Sequence, residues 1–272
     1  MQTTVNGMTY HVTTAGEGQP LVLLHGFSGS AQSWARLLPA LSVSYRVIAP
    51  DLMGHGADNV HYPPERYSMA HVVADVLALC DALELERPHL LGYSMGGRVA
   101  LACAISAPNR FRSLVLESAS PGLATEAERE ARRKSDGALA ESILHDGIEA
   151  FVTRWEALPL WHTQANLPDD VRQAQRQHRL QRHPVGLAHS LLGYGTGAQA
   201  SYWDALATLD LPTLLLVGEA DEKFRRINAD MYARLPNAEL VTIANAGHTT
   251  HLEQPQAFLE AVLGFLSRFD LA

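Results

Sequence analysis

Residues 90–104 read LLGYSMGGRVALACA, an apolar run that stops at a Gly-x-Ser-x-Gly turn and resumes with helical spacing. The pattern predicts a strand, a sharp turn with Ser94 at its apex, and a helix. Gly92, Gly96 and Gly97 leave no side chains where such a turn would crowd its flanks, so the Ser94 hydroxyl is expected to stand clear above a sheet. A glycine-rich turn holding an incidental serine would share the five-residue motif. The strand before it and the helix after it favour a nucleophile elbow.

Outward from this turn, the rest of the chain alternates between strand and helix patterns. Residues 2–5 and 8–13 flank Asn6-Gly7, the strongest short hairpin signal, and predict two antiparallel strands. LVLLH (21–25) is a continuous apolar run of the kind buried on both faces, and it ends in GFSGS. A helix is expected around Trp34 to Leu41, then the strand RVIAPDL ending at Asp51, a loop with Gly54, His55 and Gly56, and a helix from about Ser68 to Leu85. LVLES (114–118), TLLLVG (213–218) and ELVTIA (239–244) are further strands, with helices expected around Arg225 to Leu235 and from Pro255 to Phe269. This order implies an α/β fold with a mostly parallel central sheet and helices on both faces. From Pro121 to about Asp204 the pattern turns charged and helix-rich over a span too long for a loop. The expected division is an α/β core at 1–120 and 205–272 with a helical cap at 121–204 lying over the strand ends.

With 272 residues, 47% of them apolar, the chain can bury a sizeable core. Its formal charge of -8 would repel nucleic acid and anionic membranes, so neither is an expected partner. The same charge means that an anionic substrate would need a locally positive pocket. Cys80 and Cys103 sit in apolar helical stretches and read as buried thiols, not as a disulfide or metal pair. The polar N-terminus shows no signal-peptide pattern and no stretch reaches transmembrane length, so the expected location is cytoplasmic, as a monomer or weak homo-oligomer.

A serine hydroxyl is a poor nucleophile and a poor base at neutral pH, and needs a neighbouring base that a third group orients. In a parallel sheet these partners come from loops at the carboxyl ends of later strands. TLLLVG runs into GEADEKF and ELVTIA into NAGHTTH, which nominates Asp221 as the acid and His248 as the base. Glu219 and Glu117 compete for the acid's place, and His251 for the histidine's, although Gly247 suits a tight turn before His248. Backbone amides of Met95, after the serine, and Phe27, in the HGF turn, are candidate donors to an oxyanion. His25 is expected to brace that turn through hydrogen bonds.

These features resemble the α/β-hydrolase superfamily, which hosts many chemistries on one fold. Ser94 in place of an aspartate argues against dehalogenases and epoxide hydrolases. Beyond the core, GYSMGGRVAL, ESASPGL, the REARRKSD run, FVTRWEALPL, GLAHSLLGYGTGAQASYW and LLLVGEADEKF are similar to the 2-succinyl-6-hydroxy-2,4-cyclohexadiene-1-carboxylate synthases of menaquinone biosynthesis, nearly end to end. The resemblance implies a lyase that eliminates pyruvate, with no metal or organic cofactor, from a small substrate bearing several carboxylates. It further implies substrate contacts from Arg98, Arg132, Tyr93, Trp155 and Arg179, with Arg182 as the alternative to Arg179. Arginines suit bidentate binding of carboxylates. Leu192 and Tyr194 stand where the family pattern has an arginine and a methionine, and Arg182 and His183 where it has Gln-Asn, so the specificity is expected to differ if those positions touch substrate. A carboxylesterase with the same three residues is the main alternative, and a ligand-binding receptor on the same scaffold a third.

Overall fold

The Asn6-Gly7 hairpin signal is realised between β1 (Gln2–Val5) and β2 (Met8–Ala15), with Val5 opposite Met8. Asn6 and Gly7 hold φ of 49° and 78°, the pair of positive values that a two-residue type I′ turn requires. The computed structural model describes residues 1–57 and 59–270. Six further strands follow: β3 (Gln19–Leu24), β4 (Tyr45–Pro50), β5 (His89–Tyr93), β6 (Leu114–Glu117), β7 (Thr213–Gly218) and β8 (Ala238–Ile243). They form one sheet in the order β1-β2-β4-β3-β5-β6-β7-β8. β1 and β2 pair antiparallel and β2 pairs antiparallel with β4, whereas every pairing from β4 through β8 is parallel.

The continuous apolar runs follow from burial on both sides. In β3, Val22 and Leu24 point into one core with Val72, Val76, Val99 and Leu116, while Leu21 and Leu23 point into the other with Trp34, Val115, Phe258 and Val262. Helices cover both faces: α1 (Leu38–Leu41), α2 (Met69–Ala82) and α3 (Met95–Ser106) before the insertion, and, numbered after its three helices, α7 (Glu222–Tyr232), α8 (Thr250–Glu253) and α9 (Pro255–Leu266) at the end. No helix among the described residues is long and apolar enough to cross a membrane.

Three boundaries differ from expectation. The helix expected at Trp34 to Leu41 splits into a 3₁₀ turn, Ala31–Trp34, and α1, because Pro39 lacks an N–H and sits only in the first turn of a new helix. α7 begins three residues earlier than expected, since the Asp221 side chain accepts from the Phe224 amide at 3.2 Å and caps the helix there. α9 stops at Leu266, and a 3₁₀ turn, Ser267–Phe269, follows it.

Between β6 and β7 lie α4 (Glu126–Glu156), broken at Gly147, a 3₁₀ stretch (Pro159–Asn166), α5 (Asp169–Leu180) and α6 (Pro184–Tyr194). α4 starts in a capping box in which Thr125 and Glu128 satisfy each other's backbone amides. α4 and α6 pack on each other through Ile143, Phe151, Leu187 and Leu191, a small core separate from the sheet. Polar contacts attach this layer to the loops after β3 and β4. Arg182 Nη1 donates to the His55 carbonyl (2.5 Å), Tyr194 Oη to the Met53 carbonyl (2.6 Å), and Ser30 Oγ lies 2.5 Å from His178 Nε2.

The elbow tolerates almost no bulk. A Cβ on Gly96 would lie 2.1 Å from the Leu24 carbonyl oxygen, and one on Gly92 would lie 2.3 Å from the Gly96 carbonyl oxygen. Gly96→Ala is therefore expected to force β3 and α3 apart and to cost about 1–3 kcal/mol of stability. A lowered urea midpoint together with slowed labelling of Ser94 by a phosphonate is the expected outcome; an unchanged midpoint would contradict this packing.

Candidate active site

Ser94 sits between β5 and α3 with φ 50° and ψ −107°, a sparsely populated conformation held by its surroundings. Its amide donates to the Glu117 carbonyl (2.8 Å) and its own carbonyl accepts from the Arg98 amide (3.0 Å), so the backbone is pinned on both sides of the apex. The Ser94 hydroxyl lies 3.0 Å from His248 Nε2, and His248 Nδ1 lies 2.6 Å from Asp221 Oδ2. Because Asp221 Oδ1 is engaged by the first turn of α7, the carboxylate faces the imidazole in one orientation. With the Nδ1 proton donated to Asp221, Nε2 turns a lone pair toward the serine.

The competitors are engaged elsewhere. Glu219 accepts from the Asn245 amide (3.2 Å), and Glu117 accepts from His251 Nδ1 (2.7 Å). His25 braces its turn as expected. Its Nε2 accepts from the Leu52 amide (2.9 Å), which leaves Nδ1–H to donate to the Gly26 carbonyl (2.8 Å), and burial holds its pKa well below 6.5. The close approach of Gly96 to the end of β3 brings the HGF turn against the elbow. Phe27 and Met95 both border the cavity above Ser94, and among the described residues neither backbone amide has an acceptor. Two N–H groups without acceptors on residues lining this cavity are compatible with the oxyanion donors expected from the sequence.

That cavity has a volume of about 220 Å³ and reaches from Ser94 and His248 up to α4 and α6. Arg98 and Arg132 border it from opposite layers. Arg98 is buried, with Nη1 donating to the Tyr194 carbonyl (2.9 Å) and to Gln199 Oε1 (2.7 Å). Burial, and then the charge of Arg132, lower its pKa to about 10, so it remains cationic at neutral pH. Arg132 uses Nε on Asp136 (2.7 Å). Tyr93 and Trp155 also line the cavity; the Tyr93 hydroxyl shares a hydrogen bond with Thr249 Oγ1 (2.7 Å), and the Trp155 ring packs on Phe27.

Arg179 is placed differently. It pairs with Glu156 (2.9 Å), lies 5.6 Å from the centre of the Trp161 ring, and borders a hollow of about 550 Å³ between the end of α4 and α5 as well as a small cleft shared with Phe27, Tyr93, Trp155 and Trp161, which also line the Ser94 cavity. Arg182 is tied to the His55 carbonyl and does not line the Ser94 cavity. Their partners, Glu156 and the His55 carbonyl, are tertiary neighbours that the sequence does not reveal. The departures from the family pattern also fall outside the cavity wall: Leu192 is 53% exposed, Tyr194 is buried against Met53 with its carbonyl under Arg98, and neither Arg182 nor His183 lines the cavity.

Several site residues escape sequence reasoning. Trp161 and Phe224 flank the His248 ring, with centroids 5.6 and 4.5 Å away, and Gln199 and Asp136 hold the two arginines. Gln199 belongs to the GTGAQ segment and Phe224 to GEADEKF, so their motifs were visible although their roles were not; Trp161 has no local signal beyond being aromatic. Among the described residues no group of three or more His, Cys, Asp or Glu could hold a metal ion. Cys80 and Cys103 are free and buried, and burial pushes the Cys80 thiol up to about 12.

The contact between Ser30 and His178 is sensitive to acid. Burial, then Arg182 and Arg179, hold His178 down to about 4, against about 6.5 in an unfolded chain. Below pH 6.5 the unfolded chain takes up a proton that the folded chain refuses until about pH 4. Stability is expected to fall across that window by up to roughly 1.4 kcal/mol per pH unit for this group. Urea titrations at pH 7 and pH 5 check this, with His178→Gln showing a shallower loss; equal slopes would contradict it.

Comparison with known proteins agrees with this geometry. Residues 19–255 match the family model described as the alpha/beta hydrolase fold. Over 267 residues the chain is 43% identical to a Bacillus subtilis (strain 168) protein provisionally named 2-succinyl-6-hydroxy-2,4-cyclohexadiene-1-carboxylate synthase, with 97% of each chain covered. It is 34% identical over 260 residues to the Citrobacter koseri protein named as that synthase, covering 93% of this chain and 97% of the relative. The structure of MenH from S. aureus superposes with a TM-score of 0.90 at 38% identity, covering 95% of this chain and 98% of that one. The chain thus belongs to the α/β-hydrolase fold family and, within it, to the 2-succinyl-6-hydroxy-2,4-cyclohexadiene-1-carboxylate synthases.

Proposed function

We propose that this chain is a carbon–oxygen lyase that eliminates pyruvate from 2-succinyl-5-enolpyruvyl-6-hydroxy-3-cyclohexene-1-carboxylate to give 2-succinyl-6-hydroxy-2,4-cyclohexadiene-1-carboxylate. The observation that carries it is the hydrogen-bonded series Asp221, His248 and Ser94 at the floor of a cavity bordered by Arg98 and Arg132. The ring hydrogen at C2 is acidic because it lies α to the succinyl ketone. Ser94 Oγ takes that proton as His248 Nε2 takes the proton of Ser94. The electron pair moves onto the ketone oxygen, where the amides of Phe27 and Met95 stabilise it. It then returns through the C3–C4 double bond and expels the enolate of pyruvate, which recovers the proton from His248. Asp221 keeps the imidazole oriented and balances its charge midway.

The substrate's three carboxylates explain why an acidic chain gathers guanidiniums around this cavity. Arg98 and Arg132 bind two of them, with Tyr93 and Trp155 walling the ring. Arg179 acts from the adjoining hollow, beside Trp161, on the end of a substrate long enough to reach past that ring. The reading carries with it a cytoplasmic setting, which two free thiols fit, and a monomer or weak homo-oligomer with no nucleic-acid or membrane partner, which the charge of -8 supports.

Ser94→Ala and Asp221→Asn are expected to lower kcat for pyruvate release by about 10⁴-fold or more. Arg132→Ala is expected to raise KM about tenfold or more while leaving kcat within a fewfold. A coupled assay for pyruvate checks each. Full activity of Ser94→Ala would remove the base, and turnover of nitrophenyl esters faster than pyruvate release would make the chain an esterase.

A further inference from the structure

Glu117, the last residue of β6, is wholly buried and lies opposite Tyr93 in the register of β5 and β6. Its main chain and side chain do different things. The carbonyl accepts from the amide of Ser94 at 2.8 Å and so fixes the apex of the elbow. The carboxylate reaches across to the segment that follows His248. Oε1 accepts from Thr250 Oγ1 (2.7 Å) and from the His251 amide (3.0 Å), and Oε2 accepts from His251 Nδ1 (2.7 Å). On the other side of His248, Glu253 accepts from the amides of Gly247 (2.7 Å) and Thr249 (3.1 Å). The His251 ring is held between Trp34, 4.6 Å away, and Tyr93, 4.9 Å away, and Tyr93 in turn contacts His248 at 5.5 Å.

From this geometry we infer that Glu117 is a positioning residue that sets the separation of Ser94 and His248, by gripping the backbone of the first and the loop of the second. The inference rests on the Ser94–His248 base proposed above. Asp221 orients the imidazole, but it follows β7 and among the described residues makes no hydrogen bond to the elbow. Glu117 joins the two halves directly, bonded to Ser94 itself on one side and to Thr250 and His251, two and three residues after His248, on the other. A displacement of about 1 Å between reacting groups costs on the order of 100-fold in rate, so a group that never touches substrate can govern kcat through this separation.

The test compares Glu117→Ala and Glu117→Gln in the full chain. Alanine removes all three acceptor contacts. Glutamine keeps Oε1 for Thr250 and the His251 amide, and its Nε2–H₂ can donate to His251 Nδ1 once the ring proton moves to Nε2, so the grip survives without the charge. Glu117→Ala is expected to lower kcat about 30- to 100-fold with KM within twofold, and to slow phosphonate labelling of Ser94 in proportion. Glu117→Gln is expected to restore both rates to within about fivefold of the native chain, with the pH profile unmoved. Thr250→Val, which removes one contact and leaves the carboxylate, is expected to lower both about 3- to 10-fold, and it decides the matter together with Glu117→Gln if the alanine variant does not fold. Native rates in folded Glu117→Ala or in Thr250→Val overturn the inference. So does a glutamine variant as slow as the alanine one, which would mean that charge and not position is what Glu117 supplies. Labelling does not depend on which substrate is native, so a chain that labels quickly yet releases no pyruvate would sink the lyase reading and leave this comparison decisive.

Discussion

An imidazole can draw a proton from a serine only while its other nitrogen keeps its own, and the 2.6 Å contact between His248 Nδ1 and Asp221 secures that. The rest of the structure is organised around this single bond. Asp221 is available for it because the second oxygen is occupied by the first turn of α7, so the residue that orients the histidine also begins a helix. Ser94 is available because the elbow packs glycine against the carbonyl oxygens of β3, which no larger residue permits. Phe27 and Met95, whose amides have no acceptor among the described residues, belong to the two turns that this closeness brings together. Strain at Ser94, stored in its positive φ, is balanced by backbone bonds to β6 and within α3.

Much of this was legible in the residues. The parallel sheet followed from runs such as LVLL (21–24) and LLLV (214–217), which are apolar at consecutive positions because both faces are covered. Ser94, Asp221 and His248 followed from strand ends and chain order, and the structure brings the three together. Arg179 was not legible in the same way. A charge on a helix face can turn toward a cavity or toward a neighbouring acid, and whether Glu156 stands within reach depends on how the end of α4 meets α5. Trp161 and Asp136 were missed for the same reason, since their roles come from tertiary neighbours across the insertion. α7 starts before its apolar spacing indicates because Asp221, whose carboxylate also faces His248, caps the helix through the Phe224 amide.

Electrostatics reconcile the acidic chain with its anionic guest. Arg98 is buried and costly to charge, and the Tyr194 carbonyl and Gln199 supply neutral acceptors for it, so its positive charge is not cancelled before substrate arrives. Arg132 is partly solvated and shares its charge with Asp136. The two therefore differ in kind: one is a fixed desolvated cation, and the other a screened and movable one.

They also belong to different layers. Arg98 rides on α3, packed against the sheet, and Arg132 on α4, whose apolar partner is α6 and not the sheet. The span between the two guanidiniums is therefore set by how the upper layer is seated, through Tyr194 in the main core, the Gly186 backbone packed on Gly54, and the polar bonds to the loops after β3 and β4. The pair is a caliper set to one opening. Two anionic groups spaced to that opening would meet both guanidiniums at once, whereas a shorter or longer pair would meet only one.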